Sequence, residues 1–189
     1  MEGYLPGAEC VQCQGRCCKE KGCSLAPEDL KRALIKADKS ESIAKTEEGL
    51  LQNPEEWKGK VLDLLQQPDN LYAIDYFSTK EGPLFFLRMR HKCYTFIGVD
   101  AMGECAALTE KGCSLSEEDR PKGGRFLKSA PDGKCVQHYT KEMMEKDWAP
   151  YREVLKGIWI EYEKKFKEDG TFDKCDADYF AWMRSKNNK

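Results

Sequence analysis

The apolar positions along this chain change spacing several times, and each change predicts an element. Pro27-Glu28-Asp29-Leu30 predicts a helix start, with proline in the first turn and acids facing the positive end of the dipole, and Leu30, Leu34 and Ala37 then recur on one face. A weakly amphipathic helical stretch follows over 40–52. Asn53-Pro54-Glu55-Glu56 reads as the cap and first turn of a third helix carrying Trp57, Val61, Leu64 and Leu65, with Gly59 as its weak point. Residues 71–77 and 84–89 are instead rich in β-branched, leucine and aromatic side chains, and predict an antiparallel hairpin around Ser-Thr-Lys-Glu-Gly-Pro. Residues 94–99 suit a further strand. Around Cys105 and Cys113 two short strands flank a glycine-containing turn, a knuckle that brings the two cysteines close. Residues 120–135, rich in Pro, Gly and Lys, read as loop.

Helical spacing returns from about Thr140 and restarts near Pro150. Trp148, Tyr151, Leu155, Ile158, Trp159, Tyr162 and Phe166 form one apolar stripe, read as core, and Gly170 ends it. A last short helix carries Cys175, Tyr179 and Trp182. The expected fold class is α+β: a small, mostly helical single domain over 1–189, with a short β-hairpin and metal-tethered cysteine loops. The metal loops are expected at about 10–23 and 91–138, and the helical C-terminal part at 140–186.

Composition narrows the partners. Charged residues make up 34% of the 189, yet the formal net charge is only -2, so the chain has no overall attraction for nucleic acid or a membrane surface. Basic–aromatic interleaving of the nucleic-acid type is absent from the sequence. Residues 1–8 have neither the basic nor the apolar region of a signal peptide, and the longest apolar runs are far too short to cross a bilayer. The expected location is cytoplasmic, where thiols stay reduced, and this favours metal ligation over disulfides.

The chemistry is concentrated in cysteine. Five of the ten cysteines, Cys10, Cys13, Cys17, Cys18 and Cys23, fall within fourteen residues. A Cys-x2-Cys loop places two sulfurs on one side of a turn, the geometry of zinc knuckles and of ferredoxin cluster loops, and Cys17 adds a third thiolate. Adjacent side chains such as Cys17 and Cys18 diverge by about 100° on a helix and point oppositely on a strand. They therefore suit two sites or a polynuclear centre better than one ion, unless only one of them is a ligand. Candidate ligands from the second half are Cys105, Cys113 and Cys135. Behind them stand Cys23, Cys93, His91 and His138, the last forming Cys135-Val-Gln-His138 with the same two-residue gap. Cys175, among aromatic residues, reads as a core thiol.

Three smaller features complete the pattern. Residues 20–29 and 110–119 share eight of ten positions, Glu-Lys-Gly-Cys-Ser-Leu followed by Glu-Asp, so a cysteine-bearing turn precedes an acidic helix start twice. The flanks do not align, and the echo is local. The stretch from Arg120 to Lys128, with Gly123-Gly124 inside it, could hold an anion. The favoured reading is a solvated loop whose Arg120 pairs with an acid such as Glu118 or buttresses the metal loop. Arg88, Arg90 and His91 form a second cationic cluster, expected to be exposed.

The run Cys10-x2-Cys13-x3-Cys17-Cys18 followed by Pro27-Glu-Asp-Leu resembles the cysteine-cluster proteins of the YkgJ type, described as a zinc- or iron-chelating domain. In the second half, Cys105-Ala-Ala-Leu, Gly112-Cys113-Ser-Leu and Arg120-Pro121 are similar as well, so the likeness spans roughly residues 10–135. Many members carry a Cys-Arg pair shortly after Arg-Pro, where this chain has Gly124-Arg125. The resemblance thus implies one ligand fewer, with Cys135, His138 or His91 as replacements, or the loss of one site. Flagellin lysine methylases carry a similar cluster associated with a [4Fe–4S] centre, which tilts the implied cofactor toward iron–sulfur. Gly123-Gly124 follows no strand pattern and gives no methyl-donor loop.

Two functions follow as expectations. The first is a metal-binding protein holding an iron–sulfur cluster, [4Fe–4S] in type, for redox, metal-handling or accessory catalytic work. The alternative is a structural Zn2+ module that presents its helical half to a protein partner and performs no catalysis. A cysteine nucleophile such as Cys18 with His91 or His138 as base ranks below both, because dense thiols favour chelation.

Overall fold

The computed structural model describes residues 18–19, 22–38, 54–66, 72–90, 105–109, 112–129 and 135–170, with backbone alone at 38, 54–56, 129, 135 and 166. Its centre is a hairpin of β2 (Tyr72–Thr79) and β3 (Gly82–Met89), joined by the two residues Lys80-Glu81. The strands run to within one turn of each other, so most of the predicted six-residue linker belongs to them. Register pairs Ile74 with Leu87, Tyr76 with Phe85 and Phe77 with Leu84. A third short strand, β1 (Cys23–Ser24), lies antiparallel on the other edge of β3, with Cys23 opposite Met89, and Leu25 N extends the pairing by donating to Leu87 O at 2.9 Å.

Leu84, Phe85, Phe86 and Leu87 are all buried, which requires cover on both faces of the hairpin, since successive side chains point to opposite sides. Helices supply it. Helix α1 (Pro27–Asp38) follows β1, and α2 (Pro54–Leu65) precedes β2. The single-turn α3 (Lys122–Arg125) comes next, and α4 (Lys141–Trp148) then passes through a single 3-10 turn (Ala149–Tyr151) into the long α5 (Arg152–Glu168). On one face Trp159 of α5 stacks on Phe85, 5.6 Å between centroids, with Tyr76 edge-on to Trp159. On the other, Phe77 and Phe86 meet and Lys141 of α4 lies 5.8 Å over Phe77. Trp57 and Trp148 both meet Tyr151 edge-on, joining α2, α4 and the 3-10 turn.

The helix starts and stripes follow their sequence signals. Thr140 caps α4 by accepting from Met143 N, Pro150 sits in the break between α4 and α5, and α5 ends two residues before Gly170. Trp57, Val61, Leu64 and Leu65 are buried on α2, and Trp148, Leu155, Ile158, Trp159 and Tyr162 form the C-terminal part of the core. On α1 the apolar face is turned slightly from expectation: Ala33 is buried beside Leu30 and Leu34, whereas Ala37 is exposed. This mixture of helices with small sheets is an α+β arrangement. Among the described residues no helix is long and apolar enough to cross a membrane.

Two expectations are corrected. The 120–135 stretch is not all loop: Lys122–Arg125 form the single-turn α3, and β6 (Leu127–Ser129) pairs antiparallel with β7 (Cys135–Gln137). The predicted exposed cluster of Arg88 and Arg90 is an internal ion-pair group. Arg88 Nε donates to Asp75 Oδ2 at 2.7 Å, and the wholly buried Arg90 reaches the same oxygen at 3.6 Å. Burial lowers the Arg90 guanidinium to about 10, against the opposing pull of Asp75. The helix at 40–52, the strand at 94–99 and the helix around Cys175 lie outside the described residues.

Candidate functional site

The cysteine region is assembled from three short pieces of chain. The predicted knuckle is present as β4 (Leu108–Thr109) and β5 (Gly112–Cys113), with Leu108 opposite Cys113. Ser114 ties it further, its N and Oγ both donating to Ala107 O at 2.8 and 3.1 Å. At its root, Cys105 N donates to Cys18 O at 2.6 Å. This bond ties Cys18, the last cysteine of the N-terminal run, to the knuckle.

Cys23 enters from the side. As part of β1 its direction is set by the pairing with β3. Burial pushes its thiol well above the ordinary range, and the nearby Cys105, Asp29 and Cys113 push the same way while Arg88 opposes them. Cys18, Cys23, Cys105 and Cys113 are all thiols rather than halves of disulfides.

The third piece is the Arg-Pro segment. Gly123 lies so near β1 that a Cβ on it would sit 2.6 Å from Ser24 O and 2.8 Å from Ser24 N. A Cβ on Gly124 would sit 2.7 Å from Cys23 Sγ. Both values are well inside ordinary contact of about 3.5–4.0 Å. The glycine pair thus lets α3 press onto β1, and no exposed anion cradle is formed.

Asp29 holds that approach. Its Oδ2 accepts from Ala26 N at 2.8 Å, half of a capping box for α1, and from Lys122 N at 2.7 Å, ninety-three residues away. Its Oδ1 accepts from Arg125 at 3.3 Å and from Arg32. Arg125, a candidate for anion binding from sequence, is thus engaged by a buried carboxylate. Beyond it Lys122 bonds Asp147 at 2.7 Å, and Tyr139 donates to the same carboxylate oxygen at 2.9 Å. Burial raises the Tyr139 phenol far above its usual value, and its bond to Asp147 adds to the rise.

The predicted ligands can now be placed. Cys105 is buried, Cys18 and Cys113 are half-buried, and Cys23 joins them from β1. Cys135 opens β7, and His138 at its far end is exposed, its N donating to Phe126 O at 2.9 Å. Cys10, Cys13, Cys17, Cys93 and His91 lie outside the described residues. Among the described residues no group of three or more Cys, His, Asp or Glu side chains is arranged to hold a metal ion. The donor chemistry suits a soft, thiolate-bound centre, but the described thiols would need partners from the rest of the chain. Sequence reasoning underweighted Asp29; its position three residues into a helix that starts after Ala26 was the available signal.

No family model, curated protein or solved structure matches this chain.

Proposed function

We propose that this chain is a metal-binding cysteine-cluster protein that holds an iron–sulfur centre for redox, metal-handling or accessory catalytic work. The observation that carries the proposal is the bond from Cys105 N to Cys18 O, which ties Cys18 to the root of the knuckle bearing Cys105 and Cys113. Thiols gathered from segments almost ninety residues apart, none of those described being in a disulfide, favour chelation. The resemblance of the cysteine spacing to the YkgJ type supports the same assignment.

The residues that would hold the centre come from Cys10, Cys13, Cys17 and Cys18 on one side and Cys105, Cys113 and Cys135 on the other. An iron–sulfur cluster would supply one-electron or Lewis-acid chemistry there. The protein's own part is to fix the thiols. Asp29 locks α1 to α3, and the β1–β3 pairing sets the direction of Cys23.

The test is anaerobic purification of the full chain with metal, sulfide and visible-absorption analysis. Iron and acid-labile sulfide in equal amounts, with the absorption of a thiolate-bound cluster, are expected. Colourless protein carrying stoichiometric zinc would overturn the iron–sulfur assignment and leave a structural zinc module. Protein without either metal would overturn both.

A further inference from the structure

Cys23 is absent from the residues proposed to hold the centre, and the geometry gives its sulfur another part. Where α3 meets β1, Gly123 lies directly on the Ser24 backbone. One residue along, the space between the two segments is filled by a side chain. A Cβ on Gly124 would sit 2.7 Å from Cys23 Sγ, so the sulfur already occupies the place in front of that glycine. The same sulfur donates to Pro121 O at 4.0 Å. That carbonyl also takes Gly124 N at 2.8 Å and Arg125 N at 3.0 Å, and so closes the single turn of α3.

Both walls of this contact are held independently of it. β1 is fixed by the register that sets Cys23 opposite Met89 and by the bond from Leu25 N to Leu87 O. α3 is fixed by Lys122 N on Asp29 at 2.7 Å and by Gln137 Nε2, which donates to Gly123 O at 2.9 Å. The sulfur therefore lies between two backbones that separate only if hydrogen bonds break. A metal ligand has to be a thiolate. A thiolate here would face the partial negative charge of Pro121 O and forfeit the S–H bond to it. A thiol suits the contact as a small apolar group with a weak donor.

We infer that Cys23 is a packing thiol that seats α3 on β1 and lies outside the ligand set of the metal centre. Only the second half rests on the metal-binding function proposed above, since the seating of α3 is a property of the folded chain alone. The cysteines of the two echoed segments then differ in role. Cys23 holds the scaffold, while Cys113 stays among the proposed ligands. Gly124 is required for a reason beyond turn geometry, because a side chain on it would displace the Cys23 sulfur.

The test compares thermal melts, metal per chain and absorption spectra of four full-length proteins purified anaerobically: the unaltered chain, C23A, G124A and C23A/G124A. Once the Cys23 sulfur is removed, the nearest contact of a Cβ at 124 is Arg120 Cβ at 3.6 Å, so the double variant refills the emptied space. C23A and G124A are each expected to lower the melting midpoint by about 2–4 °C, and C23A/G124A to melt at or above G124A. C23A is expected to keep the metal content and spectrum of the unaltered chain. Should C23A fail to fold, the double variant carries the same metal measurement. Additive losses of midpoint in the double variant would overturn the seating role. A folded C23A, or folded double variant, that loses half or more of its metal would overturn the inference and make Cys23 a ligand, leaving the metal-binding function intact. An unaltered chain without metal would overturn that function and the ligand half of this inference with it, while the melts would still decide the seating of α3.

Discussion

Replacing Asp29 tests how the cysteine region is held. The carboxylate is 3% exposed and serves four donors: the N–H groups of Ala26 and Lys122 on one oxygen, Arg125 and Arg32 on the other. The guanidinium side chains are 30% and 43% exposed, so water takes over when the carboxylate goes and their share is small. The backbone donors have less relief, the Ala26 bond being buried and the Lys122 bond partly so. Ala26 is completely buried, and each stranded buried donor costs about 1–3 kcal/mol. Asp29→Ala should therefore destabilise the fold by about 4 kcal/mol, a large share of the roughly 5–15 kcal/mol that holds a domain together.

Asp29→Asn separates the two roles. The amide oxygen can still accept from both backbone N–H groups, while its NH2 faces the guanidinium pair. Losing only the charge-assisted part of these bonds should cost about 2 kcal/mol. Urea unfolding followed by tryptophan fluorescence, with the slopes checked for equality, reads both values. A cost below about 1 kcal/mol for Asp29→Ala would refute the claim that this carboxylate fastens α1 to α3. Equal losses in the two variants would assign its effect to the arginines.

Two other perturbations probe the same region. Tyr139 is protonated in both folded and unfolded chains below about pH 10, but its raised folded-state value means that above this pH only the unfolded chain ionises. Its contribution should thus be complete at neutral pH and fall by about 1.4 kcal/mol per pH unit beyond 10. Urea midpoints from pH 8 upward should decline more steeply for the unaltered protein than for Tyr139→Phe, and parallel profiles would contradict this. Gly123→Ala should cost about 3 kcal/mol, because its Cβ meets the Ser24 backbone, whereas Gly59→Ala, with open space and a mid-helix position, should stabilise by about 0.5–1 kcal/mol. Thermal melts giving both alanine variants the same sign would refute the close approach of α3 to β1.

Elements defined by their own local spacing were readable from sequence. The stripe from Trp148 to Tyr162, the helix start near Thr140, the hairpin and the Cys105–Cys113 knuckle each depend on residues within a few turns of one another. Features decided by distant segments were not. Gly123-Gly124 looked like a solvated loop because its partner, Ser24, lies almost a hundred residues earlier. Arg90 was expected outside because its carboxylate is on the neighbouring strand, although one signal was available. Asp75 is an acid within the apolar run Ile74–Phe77, and it shares a sheet face with Arg88. An internal carboxylate facing the arginine end of its partner strand is explained by an ion pair. Of the site itself, the meeting of Cys18 with the knuckle was foreseen, while the direction of Cys23 depends on β1, which only two residues define.

The echo between residues 20–29 and 110–119 acquires a physical meaning from this. Gly22 and Gly112 both have positive φ, 65° and 105°, so each turns the chain in a way L side chains resist and delivers the next residue, a cysteine, into a two-residue strand. After each strand an acid fastens the next turn to the residue three positions before it: Asp29 accepts from Ala26 N, and Asp119 accepts from Ser116 Oγ while its own N donates back to it. Helix α1, which continues from the first copy, then touches the second, with Arg32 donating to Glu118 O at 3.3 Å and Lys36 pairing with Asp119 at 3.1 Å. Their settings differ, since one copy leads into a helix of three turns and adds its strand to the central sheet while the other closes a separate knuckle. Strands of two residues have little stability of their own. What the repeated segment provides is therefore not a sheet but a glycine turn that sets the place of a cysteine, used twice.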